Sequence, residues 1–329
     1  MKKMMFLLCM SLVAVLLAAC GSDEAKKEAG AQGKELVIAE PVKSLGYLPL
    51  YIAIDEGFFG DLDVSVTTLS GGSAHTNAVL TDEAWAFVGG PEHNAFAKAK
   101  GAELRGIVNV VNKGNNYFTV AKGVEMPTGD LAEYFKGKKI ATSFYGGTPN
   151  SITRYYLAQL GLDPEKDVEL LEVDNSAIPS IIKKGEADIG VVSEPVMTQG
   201  IVEGIWSEPI VNIPAELGEY AYSTINVKQD TIESNPETVQ QFVDGIQKAL
   251  LFIKENPEAS LKIAEKEFPT LDASLVKATI DRAIEDELWE YSGNITEKSV
   301  ETSLSIVKNA GLLKQDISFE EIIDLQFLK

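Results

Sequence analysis

The run Leu36-Val-Ile-Ala-Glu-Pro-Val-Lys-Ser-Leu-Gly-Tyr-Leu-Pro-Leu-Tyr-Ile-Ala-Ile-Asp-Glu-Gly-Phe-Phe-Gly60 decides how the chain is read. Leu36 to Ala39 is apolar without alternation, the pattern of a strand buried on both faces of a parallel sheet. Pro41 ends that strand, because its ring cannot donate to a ladder. Ser44, Leu45, Gly46 and Tyr47 then form a loop, and Leu48 to Glu56 reads as a helix. Pro49 suits the first helical turn and Gly57 the stop. Leu50, Tyr51, Ile52 and Ile54 leave almost no polar face, so the helix is expected to be buried. Strand, loop and helix in this order put the loop at the carboxyl end of a sheet, where open α/β sheets bind small ligands.

Outward from that unit the scheme repeats. Val64–Thr68, Trp85–Val88 and Leu104–Val111 read as strands, separated by helices that start after Gly71-Gly72-Ser73 and Gly90-Pro91-Glu92. Short alternating elements of this kind favour parallel strands wound by right-handed crossovers. Tyr117–Ala121 leaves the unit. A second unit follows, with strands at Lys139–Thr142, Val168–Val173 and Ile189–Val192 and helices over 149–160, 177–184 and 195–202. Ile210–Ile213 closes it, and Ser223–Val227 carries the chain back. The remainder is helical over 237–254, 257–267, 273–288 and 296–309, with Asn235-Pro236, Asn256-Pro257 and Asp272 at the starts. Two α/β units, two crossing segments and a helical tail imply two lobes with a cleft between them. The expected division is 34–117 with 222–329 as lobe I, and 118–221 as lobe II.

The N-terminus stands apart from the fold. Lys2 and Lys3, the apolar run Met4–Leu17 and Leu17-Ala18-Ala19-Cys20 have the form of a signal peptide over 1–19. Ending in cysteine, it resembles a bacterial lipobox, which would leave Cys20 diacylated. Residues 20–33 are polar and without an apolar period, a tether between that anchor and the folded part. The only other cysteine, Cys9, falls in the removed segment, so no disulfide and no thiolate site is expected. The formal net charge of −20 argues against nucleic acid or an anionic lipid face as partner.

Four loops offer helix N-termini at the carboxyl ends of the two expected sheets. They contain Gly72 and Ser73, Gly90 and Glu92, Tyr145, Gly147 and Thr148, and Glu194. Free N–H groups and the helix dipole favour an acceptor or anion at such places, and glycine permits close approach. Singly, each loop is explained as well by capping and turn formation; four at equivalent points favour a binding cleft. Tyr47 and Tyr145 sit in loops, where they could stack on a planar ligand. None of the three arginines, Arg105, Arg154 and Arg282, lies in a site loop, so clamping of an anion by guanidinium is not expected. Glu92 and Glu194 open helices, either as dipole partners or as acceptors for an amino group on the ligand. His75 and His93 are the only histidines, too few for a zinc site, and no nucleophile elbow, P-loop or dinucleotide fingerprint is present.

Gly46-Tyr47-Leu48-Pro49-Leu50-Tyr51 through Asp55-Glu56-Gly57-Phe58-Phe59 resembles the opening of substrate-binding proteins of the nitrate, sulfonate, taurine and thiamine-pyrimidine importers. Gly137-Lys138-Lys139-Ile140-Ala141, Glu186-Ala187-Asp188-Ile189-Gly190 ahead of Glu194-Pro195, and Asn235-Pro236-Glu237 are similar too. The resemblance implies an α/β, two-lobed type II periplasmic-binding fold with two crossover segments and a helical C-terminal region. It implies an extracytoplasmic, lipid-anchored monomer that delivers a small organic ligand, a sulfonate or an aminopyrimidine-like compound, to an ABC permease with its ATPase subunit. Ligand contacts carried over are Ser44 to Tyr47, Gly90 to Glu92 and Tyr145 to Thr148, faced by Asn175 and Glu194. No cofactor, metal or catalytic residue is implied. One branch of the same fold is a thiamine-pyrimidine synthase with a cysteine-rich iron motif, which a chain with no cysteine beyond Cys20 does not match.

Overall fold

A parallel trio of strands starts each half of the molecule. The computed structural model describes residues 35–70 and 73–329; the expected signal peptide, Cys20, the tether and Gly72 lie outside them. β1 (Leu36–Glu40) pairs in parallel with β2 (Val64–Thr68) and β3 (Ala86–Gly89). After β4 (Leu104–Val111) and β5 (Tyr117–Val120), the second trio has β6 (Lys139–Thr142) between β7 (Glu169–Glu172) and β8 (Ile189–Val192). β9 (Val211–Asn212) and β10 (Ser223–Lys228) complete the strands.

The sheets have the orders β2-β1-β3-β10-β4 and β7-β6-β8-β5-β9. Each therefore carries a fourth strand that arrives from the other half of the chain and runs antiparallel to its neighbours. β5 pairs with β8 and β9, and β10 with β3 and β4. The four strands of the first unit run in one direction, and the returning strand inserts antiparallel between β3 and β4.

Helices α1 (Leu48–Asp55), α2 (Ala74–Leu80) and α3 (Pro91–Lys98) follow the first three strands. α1 is buried from Leu48 to Ala53, as its apolar circumference requires. The second half holds α4 (Leu131–Phe135), α5 (Thr148–Gln159), α6 (Ile178–Lys184), α7 (Val196–Val202) and α8 (Ile213–Leu217). The tail consists of α9 (Gln229–Ser234), α10 (Pro236–Glu255), α11 (Pro257–Glu267), α12 (Ala273–Glu285) and α13 (Glu297–Asn309). The short helices α4, α8 and α9 carry no periodic signal long enough to read from sequence. Asn235, Asn256 and Asp272 make no side-chain cap hydrogen bond, so proline in the first turn marks the starts of α10 and α11.

α12 stops before the sequence pattern does. Glu287 turns left-handed at φ 53°, and the Leu288 N–H closes on the Ala283 carbonyl at 2.8 Å. That turn sends Leu288 and Trp289 into the core of the first sheet, where Trp289 Nε1 donates to the Gly46 carbonyl at 2.9 Å. The same core holds Leu48, Leu50 and Ile52 of α1, Phe242 and Ile246 of α10, and Val276 and Ile280 of α12. The second core gathers Phe118, Phe135, Tyr156 and Ile189, and Ile306 of α13 joins it.

Candidate functional site

A cavity of about 250 Å³ lies where the carboxyl ends of the two sheets face each other. One wall is the loop after β1, with Val42, Lys43, Ser44, Gly46 and Tyr47. The opposite wall brings Asn175 from the loop after β7, and Ser193, Glu194, Pro195 and Val196 from the loop after β8. Val111, Asn115 and Tyr222, at or beside the two crossing segments, form the back.

Local structure fixes each group. Ser44 Oγ accepts from the Gly46 N–H at 3.2 Å, and the Ser44 carbonyl accepts from Tyr47 N–H at 3.0 Å. That tight turn sends Leu45 and Leu48 into the core and leaves Ser44, Gly46 and the largely buried Tyr47 in the cavity wall. Behind it, the buried Glu40 at the end of β1 accepts from Tyr51 OH at 2.6 Å and from Thr68 Oγ1 at 2.8 Å. Lys43 is committed elsewhere: its Nζ is 2.8 Å from Glu267 and lies over the rings of Tyr51 and Phe268.

Glu194 is the charged centre of the cavity. Its carboxylate accepts from Thr198 Oγ1 at 2.7 Å and Thr198 N–H at 3.2 Å, and Arg282 Nε lies 3.2 Å away. Burial pushes its carboxyl up to about 7, outweighing the Thr198 hydrogen bonds and the nearby guanidinium. Asn115 is buried, and its Oδ1 has no hydrogen-bond partner among the described residues. Tyr222 OH accepts from Asn116 Nδ2 at 3.4 Å. The lining thus offers a carboxylate, side-chain amides, hydroxyls and two aromatic rings.

Of the residues expected to bind, Ser44, Gly46, Tyr47, Asn175 and Glu194 line the cavity. Leu45 turns into the core, and Ser73 is exposed at the start of α2. Glu92 lies outside the lining, buried against α13, where it accepts from Ser303 Oγ at 2.8 Å. Burial pushes its carboxyl up to about 7 as well. Gly90 makes this possible, since a Cβ there would stand 2.0 Å from Glu92 Oε2. Tyr145 is more than half exposed, donates to the Ala310 carbonyl at 2.8 Å and stacks on Arg154. Gly147 and Thr148 open α5 beside it, outside the lining.

Sequence reading missed Asn115, Tyr222 and Arg282. Asn115 belongs to a stretch legible only as a polar turn, and Arg282 to an amphipathic helix far along the chain. The two histidines meet edge to face, ring centroids 4.7 Å apart, between α2 and α3 and away from the cavity. Burial lowers His75 to about 3, with His93 adding to the effect, and His93 to about 4. A larger groove of about 650 Å³ runs along α13, but it is open to solvent and touches no loop at a sheet's carboxyl end.

The sequence pattern described as NMT1/THI5 like matches residues 45–260. YtlA of Bacillus subtilis (strain 168), provisionally described as a binding protein, is 26% identical over 94% of this chain and 91% of its own. Among solved structures, the alkanesulfonate-binding protein SsuA from Xanthomonas axonopodis pv. citri, bound to MOPS, superposes with a TM-score of 0.69. It is 16% identical, over 90% of this chain and all of that one. The periplasmic nitrate-binding protein NrtA from Synechocystis PCC 6803 superposes at 0.59 with 18% identity, over 76% of this chain and 69% of its own. The two-lobed periplasmic-binding fold is shared with both.

Proposed function

The chain belongs to the NMT1/THI5-like family, and from that premise we propose that it is an extracytoplasmic solute-binding protein of an ABC importer. It captures a small organic ligand in the cavity between the two sheets and presents it to a permease. The observation that carries this reading is a cavity lined from both halves of the molecule, with the buried Glu194 and Asn115 among its lining residues. At about 250 Å³ it falls just below the roughly 300–1,000 Å³ of drug-sized sites, so the ligand is small.

Its chemistry follows from the lining. Glu194 is a buried acceptor in the wall, and a hydrogen bond from a ligand N–H to such a charged group contributes about 1.5–3 kcal/mol. Lys43 is held by Glu267, and the Arg282 guanidinium is balanced by carboxylates, so a bare anion finds no uncommitted cation in the lining. We therefore assign a ligand that brings donors, an aminopyrimidine or an amino-sulfonate, in preference to nitrate. The role is binding with release of the ligand unchanged, not turnover.

Among the described residues no helix is long and apolar enough to cross a membrane. The proposed link to the membrane is the diacylated Cys20, which lies outside the described residues.

Calorimetry with 4-aminopyrimidine, taurine, ethanesulfonate and nitrate tests the assignment. One amino-bearing compound should bind one to one and be recovered intact. Binding of nitrate or ethanesulfonate alone, or steady conversion of any of the four, would refute it.

A further inference from the structure

α12 is rooted in the first sheet's core through Val276, Ile280 and Ala283, yet its opposite face packs on α7 of the second half. Two charged residues at i and i+4 stand on that face, Arg282 and Asp286. Arg282 Nη2 donates to Glu208 Oε2 at 2.8 Å while its Nε lies 3.2 Å from Glu194 Oε1, and its guanidinium sits over the Tyr117 ring at 5.7 Å. Asp286 accepts from Tyr117 OH and from Asn212 Nδ2, each at 2.6 Å. Every one of these partners belongs to β5, β9 or the chain segments that follow β8.

We propose that Arg282 and Asp286 form a clasp between the two halves, and that Arg282 is a positioning residue for Glu194. The guanidinium stands between two carboxylates: it is hydrogen-bonded to the more than half exposed Glu208, and its Nε lies within ion-pair distance of Glu194 in the cavity wall without a hydrogen bond to it. Closing the halves over a ligand therefore also brings the guanidinium beside Glu194 and fixes where its carboxyl stands in the cavity wall. Opening removes that neighbour and leaves the carboxyl to solvent. Asp286 holds the same helix against β5 and β9, so the two contacts make and break together. Lysine could satisfy one carboxylate but lacks the planar guanidinium that stands between two. The coupling of clasp to affinity rests on the cavity being the ligand site; the clasp itself does not.

The test uses the full chain in detergent. In the absence of ligand, Arg282→Met should speed amide exchange in α7 at least tenfold, with β6 and β7 unchanged. Glu208→Gln should stay within threefold of wild type. Should Arg282→Met fail to fold, Asp286→Asn should speed exchange in β5 and β9 by a similar factor. No change in α7, or in β5 and β9 for the second variant, overturns the clasp. With 4-aminopyrimidine as probe, Arg282→Met should bind at least tenfold more weakly, and Arg282→Lys should recover part of the loss. The effect should vanish in a Glu194→Gln background. Additive losses, or no rescue by lysine, overturn the positioning role. Failure of the wild type to bind either 4-aminopyrimidine or taurine would break the ligand assignment, while the exchange arms still decide the clasp.

Discussion

Glu92 and Glu194 occupy matching places in the two halves of the molecule. Each follows the third parallel strand of its sheet and stands at the start of a helix, α3 or α7. Each is buried, and burial lifts each carboxyl to about 7. Their surroundings differ because different tail helices reach them. α13 covers Glu92 and gives it one neutral hydroxyl, from Ser303. α12 brings Arg282 to Glu194 and leaves the carboxylate in a cavity wall. Two loops that the fold makes equivalent are thus assigned different work by the C-terminal helices. A helix start and a buried carboxylate do not mark a binding group; the space left in front of it does.

The comparison breaks most readily at Glu194. A hydrogen bond to a charged group contributes about 1.5–3 kcal/mol, against about 0.3–1 kcal/mol for a helix-dipole contact. Glu194→Gln should therefore weaken binding of an amino-bearing ligand more than tenfold at pH 8, while Glu92→Gln changes it less than twofold. For the wild type, affinity should also fall as pH drops below about 7, since protonation removes the acceptor. Glu194→Gln should lose that dependence. Calorimetry at pH 6 and pH 8 reads both effects, and equal losses in the two variants would erase the distinction.

Glu92 should show itself in stability instead. Its folded pKa lies above the ordinary carboxylate value, so the folded state holds a proton that the unfolded chain releases. Its stabilising contribution is complete below about pH 4.5 and is lost as pH rises to about 7. The buried histidines act with the opposite sign: theirs is present above pH 6.5 and lost as pH falls toward 4. The two trends oppose each other in the wild type. Glu92→Gln removes only the first, so the variant should melt progressively above the wild type from pH 5 to pH 7 and hold that lead to pH 8. A melting difference independent of pH would mean that Glu92 is ionised in both states.

Much of the fold was legible because its signals are local. The apolar run Leu36–Ala39, Pro41 and the featureless apolar face of Leu48–Ile54 gave β1 and α1, and the same grammar repeated through Ile189–Val192. Ser44, Tyr47 and Glu194, which line the cavity, were legible as loop residues at the carboxyl ends of strands, and Asn175 only through the family resemblance. What stayed hidden depends on contacts distant in sequence. Nothing around Arg282 distinguishes it from a solvated charge on an amphipathic helix, and nothing around Ser303 shows that it seals Glu92. Tyr145 misled for the same reason: an aromatic in a glycine loop looks free until the end of α13 takes its hydroxyl.

Tyr145 gives the smallest effect and the finest test of the comparison between loops. Its counterpart Tyr47 is buried and lines the cavity, whereas Tyr145 lies at the surface between Arg154 and Ala310. An exposed cation–π contact contributes about 0.5–1 kcal/mol, and a typical hydrogen bond about 0.5–1.5 kcal/mol net. Tyr145→Phe gives up only the second and should cost about 0.5–1.5 kcal/mol, and Tyr145→Ala gives up both and should cost about 1–2.5 kcal/mol. Neither loss falls on the ligand if the ring stays where it is. Both variants should then bind within twofold of wild type by calorimetry, and the alanine variant should be the less stable of the pair in urea. A tenfold loss of affinity in Tyr145→Ala that Tyr145→Phe does not share would mean the glycine loop folds its ring over the bound ligand, making the two loops partners after all.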